Sequence, residues 1–100
     1  VVLTAKHHEG FALWDSKLTD YKITNTPFKR DLIKEYVEAL RAEGLKVGLY
    51  FSIIDWHHPD YPKYNDNFHP MRGNEKYKDE KINWDNYLKY MHGQVKELCT

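Results

Sequence analysis

Leu45-Lys46-Val47-Gly48-Leu49-Tyr50-Phe51-Ser52 alternates as an extended strand does. Successive side chains of a strand point to opposite faces, so Val47, Leu49 and Phe51 share one face and Gly48, Tyr50 and Ser52 the other. Immediately upstream, Asp31 is a cap residue and Leu32, Ile33, Tyr36, Val37 and Leu40 recur at helical spacing. Lys34, Glu35, Glu38, Arg41 and Glu43 supply a solvated face, which predicts an amphipathic helix over Leu32 to Glu43 closed by Gly44. Further back, Val1-Val2-Leu3-Thr4-Ala5 is short and β-branched, as suits a parallel strand buried on both faces. Strand, helix and strand in about fifty residues is the pattern of a right-handed parallel crossover.

Both strands are followed by long connections. Glu9 to Arg30 holds Phe11, Trp14, Tyr21 and Phe28 without a sustained period. Ile53 to about Lys81 opens with Asp55-Trp56-His57-His58-Pro59 and continues through Tyr61, Tyr64, His69 and Tyr77, which are expected as ordinary exposed loop. Trp84, Tyr87, Leu88, Met91, Val95 and Leu98 then outline a second amphipathic helix. Two β/α units with long loops after each strand, and no glycine fingerprint after the first, suit a partial TIM (β/α)8 barrel better than a dinucleotide-binding sheet. In that arrangement Val47, Leu49 and Phe51 meet helices, and Tyr50 aims into the barrel mouth.

The chemistry gathers in Ala5-Lys6-His7-His8-Glu9-Gly10-Phe11-Ala12-Leu13-Trp14-Asp15-Ser16, where an apolar run gives way to two histidines, two carboxylates and two aromatics. His7 and His8 fall at a strand's carboxyl end, where α/β folds bind ligands. Adjacent residues on a regular strand face opposite ways, so both rings can address one ligand only if the strand end twists or bulges. Neutral imidazole offers one donor and one acceptor, a match for sugar hydroxyls. Trp14 and Trp56 offer flat faces for a pyranose. Asp55 is expected to anchor its loop as an acceptor.

Lys6-His7-His8-Glu9-Gly10-Phe11, Leu13-Trp14-Asp15-Ser16, Leu49-Tyr50-Phe51-Ser52 and Asp55-Trp56-His57-His58-Pro59 together resemble glycoside hydrolase family 29, the α-L-fucosidases, across essentially the whole chain. The resemblance implies a (β/α)8 barrel and a retaining exo-glycosidase acting on fucosylated glycans. It implies that His7 and His8 contact fucose hydroxyls and that Tyr50 lines the same pocket; Trp14 and Trp56 complete the expected substrate-binding set through their flat faces. It also implies that an aspartate nucleophile and a second carboxylate lie beyond Thr100, so Glu9, Asp15, Asp55 and Asp60 are not named as catalytic. No cofactor or metal is expected. The family favours a secreted, periplasmic or lysosomal-type setting and allows a homo-oligomeric parent.

Composition agrees with this reading. Fifteen basic and fifteen acidic residues cancel, and 41% of the chain is hydrophobic, 15% aromatic. That describes a globular segment with no electrostatic case for nucleic acid or an anionic membrane. No apolar run reaches the roughly 20 residues of a membrane helix. The single cysteine, Cys99, excludes an internal disulfide and is expected to be a buried, inert thiol. Residues 1–100 are expected to be part of one catalytic domain, incomplete at both ends. As an isolated piece they are expected to be inactive and marginally folded or oligomeric.

Two rival functions stand beside the glycosidase. A metal-dependent hydrolase would gather His7, His8, His57, His58 and Asp55 around zinc, although adjacent histidines are poor ligand spacing on a strand. A non-catalytic sugar-binding barrel would keep the same histidines and tryptophans without a nucleophile.

Overall fold

The computed structural model describes all 100 residues. Its elements run β1 (Val2–Lys6), α1 (Leu32–Ala42), β2 (Gly48–Phe51) and α2 (Trp84–Cys99), with single 3-10 turns at Ile23–Asn25 and Glu75–Tyr77. The two strands pair in parallel, Val2 opposite Gly48 and Leu3 opposite Leu49. The chain is therefore α/β with a strand-helix-strand-helix order.

The first helix forms where its caps dictate. The Asp31 carboxylate accepts from the Lys34 backbone N–H at 2.8 Å, satisfying one donor that a helix start leaves free. Gly44, at φ +71°, turns the chain away at the other end, and Leu45 N–H bonds back to the Leu40 carbonyl. The expected second strand, Leu45 to Ser52, is cut to Gly48–Phe51. Its first ladder bond runs from Gly48 N–H to the Val1 carbonyl, and Leu45 N–H is instead taken by the Leu40 carbonyl at the end of α1. β1 itself runs one residue past its expected end, and Val2 is exposed while only Ala5 and Lys6 are fully buried.

The helix-facing side of the sheet carries the core. Ala5, Ala12, Trp14 and Ile33 are buried together, with Leu3, Val37, Leu49, Phe51 and Leu98 packed against them. Leu49 and Phe51 thus lie on the face their alternation predicts. Trp14 joins this layer, its ring 6.4 Å from that of Phe51.

The second helix keeps part of the expected stripe, with Tyr87 buried and Leu88, Met91 and Leu98 half-buried, and departs from it at the other positions. Tyr87 and Gln94 are its fully buried residues, whereas Trp84 is 44% and Val95 39% exposed. Cys99 is exposed as well, contrary to the buried thiol expected of it. The helix is rotated so that polar Gln94 points inward, because the buried Lys6 ammonium demands acceptors: Gln94 Oε1 accepts from Lys6 Nζ at 3.2 Å. No helix is long and apolar enough to cross a membrane.

Candidate functional site

The carboxyl end of β1 is irregular. Thr4 pairs with Tyr50 and Lys6 with Phe51, so two steps on β1 oppose one on β2 and Ala5 is the extra residue of a bulge. His7 and His8 then leave the strand in a tight turn, closed by Gly10 N–H bonding to the His7 carbonyl at 3.1 Å. Gly10 sits at φ +81°, and a Cβ there would come within 2.4 Å of Asp55 Oδ1. Only glycine allows the two loops to meet this closely.

Bulge and turn together overcome the strict alternation that would separate adjacent histidines. The rings of His7 and His8 lie 4.3 Å apart. Tyr50 flanks His7 at 5.7 Å and Trp56 flanks His8 at 5.4 Å between ring centroids. Four of the five expected site residues therefore form one aromatic wall at the carboxyl end of the parallel pair. Trp14 does not join it. Its ring is buried in the helix-side core, where Nε1–H donates to Glu97 at 3.2 Å, so this tryptophan packs the fold and presents no face to a ligand.

Contacts between the loops hold the wall in place. His8 Nδ1 lies 2.6 Å from Ser52 Oγ, and the His8 carbonyl accepts from Trp56 N–H at 2.7 Å. Beneath them, Lys6 and Asp55 form a fully buried ion pair at 3.0 Å. Burial pushes the Lys6 ammonium down from its ordinary pKa, and the Asp55 charge opposes that shift. Asp55 also accepts from the backbone N–H groups of His57 and His58, both at 2.9 Å, as expected of a loop anchor. The Lys6–Phe11 motif contains Lys6 but gives no sign of its ion pair, and no motif marks Gln94; an uncompensated lysine at the end of an apolar strand was the available clue.

The first loop hangs on a second carboxylate that sequence reading missed. Glu97 on α2 accepts from Trp14 Nε1–H, from Ser16 Oγ–H at 2.7 Å and from Lys17 N–H at 2.8 Å. Asp15 accepts from Lys17, Lys22 and Thr24, and these donors hold its pKa well below the usual carboxylate range. Asp60 accepts from Asn83 N–H and the Asn86 amide beside the start of α2, and is likewise lowered. Each of these carboxylates is engaged in building the loops. Glu9 is exposed, 4.0 Å from His7 Nδ1.

In the second loop His69 is buried rather than exposed. Its Nδ1 accepts from Met71 N–H at 2.9 Å, and its ring stands edge-on to Trp56 at 6.1 Å. Tyr61, Tyr64 and Tyr77 are half-buried. Tyr21 stacks on His57 with centroids 4.1 Å apart and planes 13° from parallel, adding an aromatic pair that links the two loops. His7, His8, His57, His58 and Asp55 do not converge as a set of three or more metal ligands. What the wall can do is bind hydroxyls and the apolar face of a ring.

Residues 1–100 match the α-L-fucosidase family throughout. The chain belongs to that family. As a family member it is 68% identical to α-L-fucosidase isoenzyme 1 of Paenibacillus thiaminolyticus, with a TM-score of 0.96 over 99% of this chain and 24% of that one. An α-L-fucosidase from Lactobacillus casei in complex with α-L-fucose aligns at 38% identity and a TM-score of 0.80, over 97% of this chain and 33% of that one. Human tissue α-L-fucosidase is 44% identical over 62 residues, 61% of this chain and 13% of the human protein. The chain thus spans about an eighth of that curated relative's length and a quarter of the Paenibacillus enzyme's.

Proposed function

We propose that residues 1–100 supply the fucose-binding part of a retaining α-L-fucosidase, as two β/α units of a single (β/α)8 catalytic domain. The observation that carries this is the convergence of His7, His8, Tyr50 and Trp56 at the carboxyl end of two parallel strands, the end at which barrel enzymes bind substrate. The imidazoles meet hydroxyls, and Trp56 and Tyr50 shield the ring. Trp14 is left out of this set.

The retaining course is supported by a relative from Bacteroides thetaiotaomicron, 41% identical with a TM-score of 0.76, which is described as a trapped covalent intermediate with 2-fluoro-fucosyl fluoride. In such a course one carboxylate attacks the anomeric carbon and a second serves as acid and then base. Asp15, Asp55 and Asp60 are taken up by structural partners, so neither role falls to them. Fucosylated glycans are the proposed substrates.

Hydrolysis of an aryl α-L-fucoside by the full-length protein, set against other aryl glycosides, tests the reading. Release from the fucoside is expected, and turnover of a different sugar with none of fucoside would overturn it. Fucose binding without turnover would instead favour a non-catalytic sugar-binding barrel.

A further inference from the structure

We propose that Ser52 fixes the tautomer of His8, so that His8 Nε2 meets the sugar as a hydrogen-bond acceptor and demands a hydroxyl donor there; this rests on the fucosidase reading of the site. A serine hydroxyl has one hydrogen and can accept further bonds through its oxygen. Ser52 is only 2% exposed, so its partners are the two groups beside it. One is the Ile54 carbonyl oxygen at 2.8 Å, which can only accept. The Ser52 hydrogen is committed to that bond. The other partner is His8 Nδ1 at 2.6 Å, and the hydrogen between these two atoms must come from the imidazole.

A neutral imidazole carries one N–H, so protonation of Nδ1 leaves Nε2 with a bare lone pair. The ring cannot slide away from this contact. Its own backbone carbonyl is bonded to Trp56 N–H, and its ring is flanked by the tilted rings of His7 and Trp56. His7 has no such partner, since its Nδ1 has only an exposed Glu9 oxygen at 4.0 Å. The adjacent histidines therefore divide the work: His8 selects a donor, and His7 adapts to either kind of group. Ser52 acts through His8 and is a positioning residue, while its backbone N–H bonds to the Lys6 carbonyl and stays in place whatever its side chain.

Neutron diffraction from deuterium-exchanged crystals of the full-length protein at neutral pH tests the assignment directly. Deuterium is expected on His8 Nδ1 and on Ser52 Oγ toward Ile54, with Nε2 bare. Deuterium on Nε2, with or without one on Nδ1, would overturn it. Kinetics of Ser52→Ala and Ser52→Thr provide the second measurement: the alanine variant should lose about 3- to 10-fold in kcat/KM on an aryl α-L-fucoside, the effect of one net hydrogen bond, and threonine should restore it. An unchanged kcat/KM in a folded alanine variant would also overturn the proposal. Should that variant fail to fold, the neutron map of the unaltered protein decides the matter. A protein inactive on fucosides with the expected deuterium pattern would retire the fucosidase reading while leaving the tautomer assignment intact.

Discussion

Lys6 Nζ lies 3.0 Å from Asp55 Oδ2, and neither side chain reaches solvent. These two residues are 49 positions apart, and their pairing fastens the loop after β2 to the end of β1 directly beneath His8 and Trp56. Removing one member of a buried pair strands the other charge, at a cost of about 3–5 kcal/mol. Lys6→Met leaves Asp55 with two backbone donors, whereas Asp55→Asn, its oxygen held by the His57 and His58 N–H groups, leaves a buried ammonium with Gln94 and the faces of Phe51 and Tyr90 and no counter-charge. Denaturant unfolding of the full-length variants should therefore show the larger loss for Asp55→Asn. Equal stability of both variants with the parent would mean that the pair contributes nothing to the fold.

Gly10→Ala tests the close approach of the two loops. The added methyl would meet Asp55 Oδ1 at 2.4 Å and His57 Cβ at 2.9 Å, from a backbone at φ +81°. Strain of this kind costs on the order of 1–3 kcal/mol. Thermal unfolding should register the loss, and KM for a fucoside should rise as the β2 loop is displaced.

Glu97 gathers three donors from the first loop, so Glu97→Ala leaves buried groups unpaired and should cost about 1–3 kcal/mol. Hydrogen exchange at the Lys17 amide is the specific readout. It should accelerate in Glu97→Ala and also in Glu97→Gln, whose one oxygen can serve Trp14 and Ser16 but leaves an amide NH2 facing the Lys17 N–H, while the glutamine variant should lose less stability.

His58 should make stability fall in acid. Burial against Tyr87 and Tyr90 lowers its pKa, outweighing the nearby Asp55 and Asp60, and its Nδ1 accepts from Asp60 N–H. The unfolded chain then binds the proton more readily than the folded one. Stability from this group is present above the ordinary histidine value of about 6.5 and is lost as pH falls below it. His58→Asn, which can keep the Asp60 contact through its side-chain oxygen, should flatten that part of the melting-temperature profile.

His7→Ala and Trp14→Ala should separate binding from packing. The histidine is exposed at the wall, so its loss should weaken catalysis by the full-length protein by about 1–3 kcal/mol without altering its melting temperature. The tryptophan is 5% exposed within the core, and truncation there should cost about 3–5 kcal/mol of stability. A Trp14→Ala variant of normal stability and impaired fucoside binding would return that ring to the site.

Local signals carried far in this chain, and they did so where the physics is local. Asp31 and Gly44 bound α1 because a cap acts on its own turn. Val47, Leu49 and Phe51 face the helices because pleating is a property of consecutive residues. The motif words located His7, His8, Tyr50 and Trp56, and Asp55 behaves as the acceptor its neighbours suggested. Where a strand stops, which way a ring turns and what a charge finds were settled by partners distant in sequence. β2 begins at Gly48, opposite Val2, and Trp14 turns inward because Glu97, 83 residues on, accepts its N–H. Gln94 is buried because Lys6, 88 residues away, needs an acceptor. The approach of His7 to His8 depends on a bulge, which exists only as a mismatch between two paired strands. Capping and alternation are written within a few residues of one another, whereas burial and charge compensation are defined only once the chain has closed on itself.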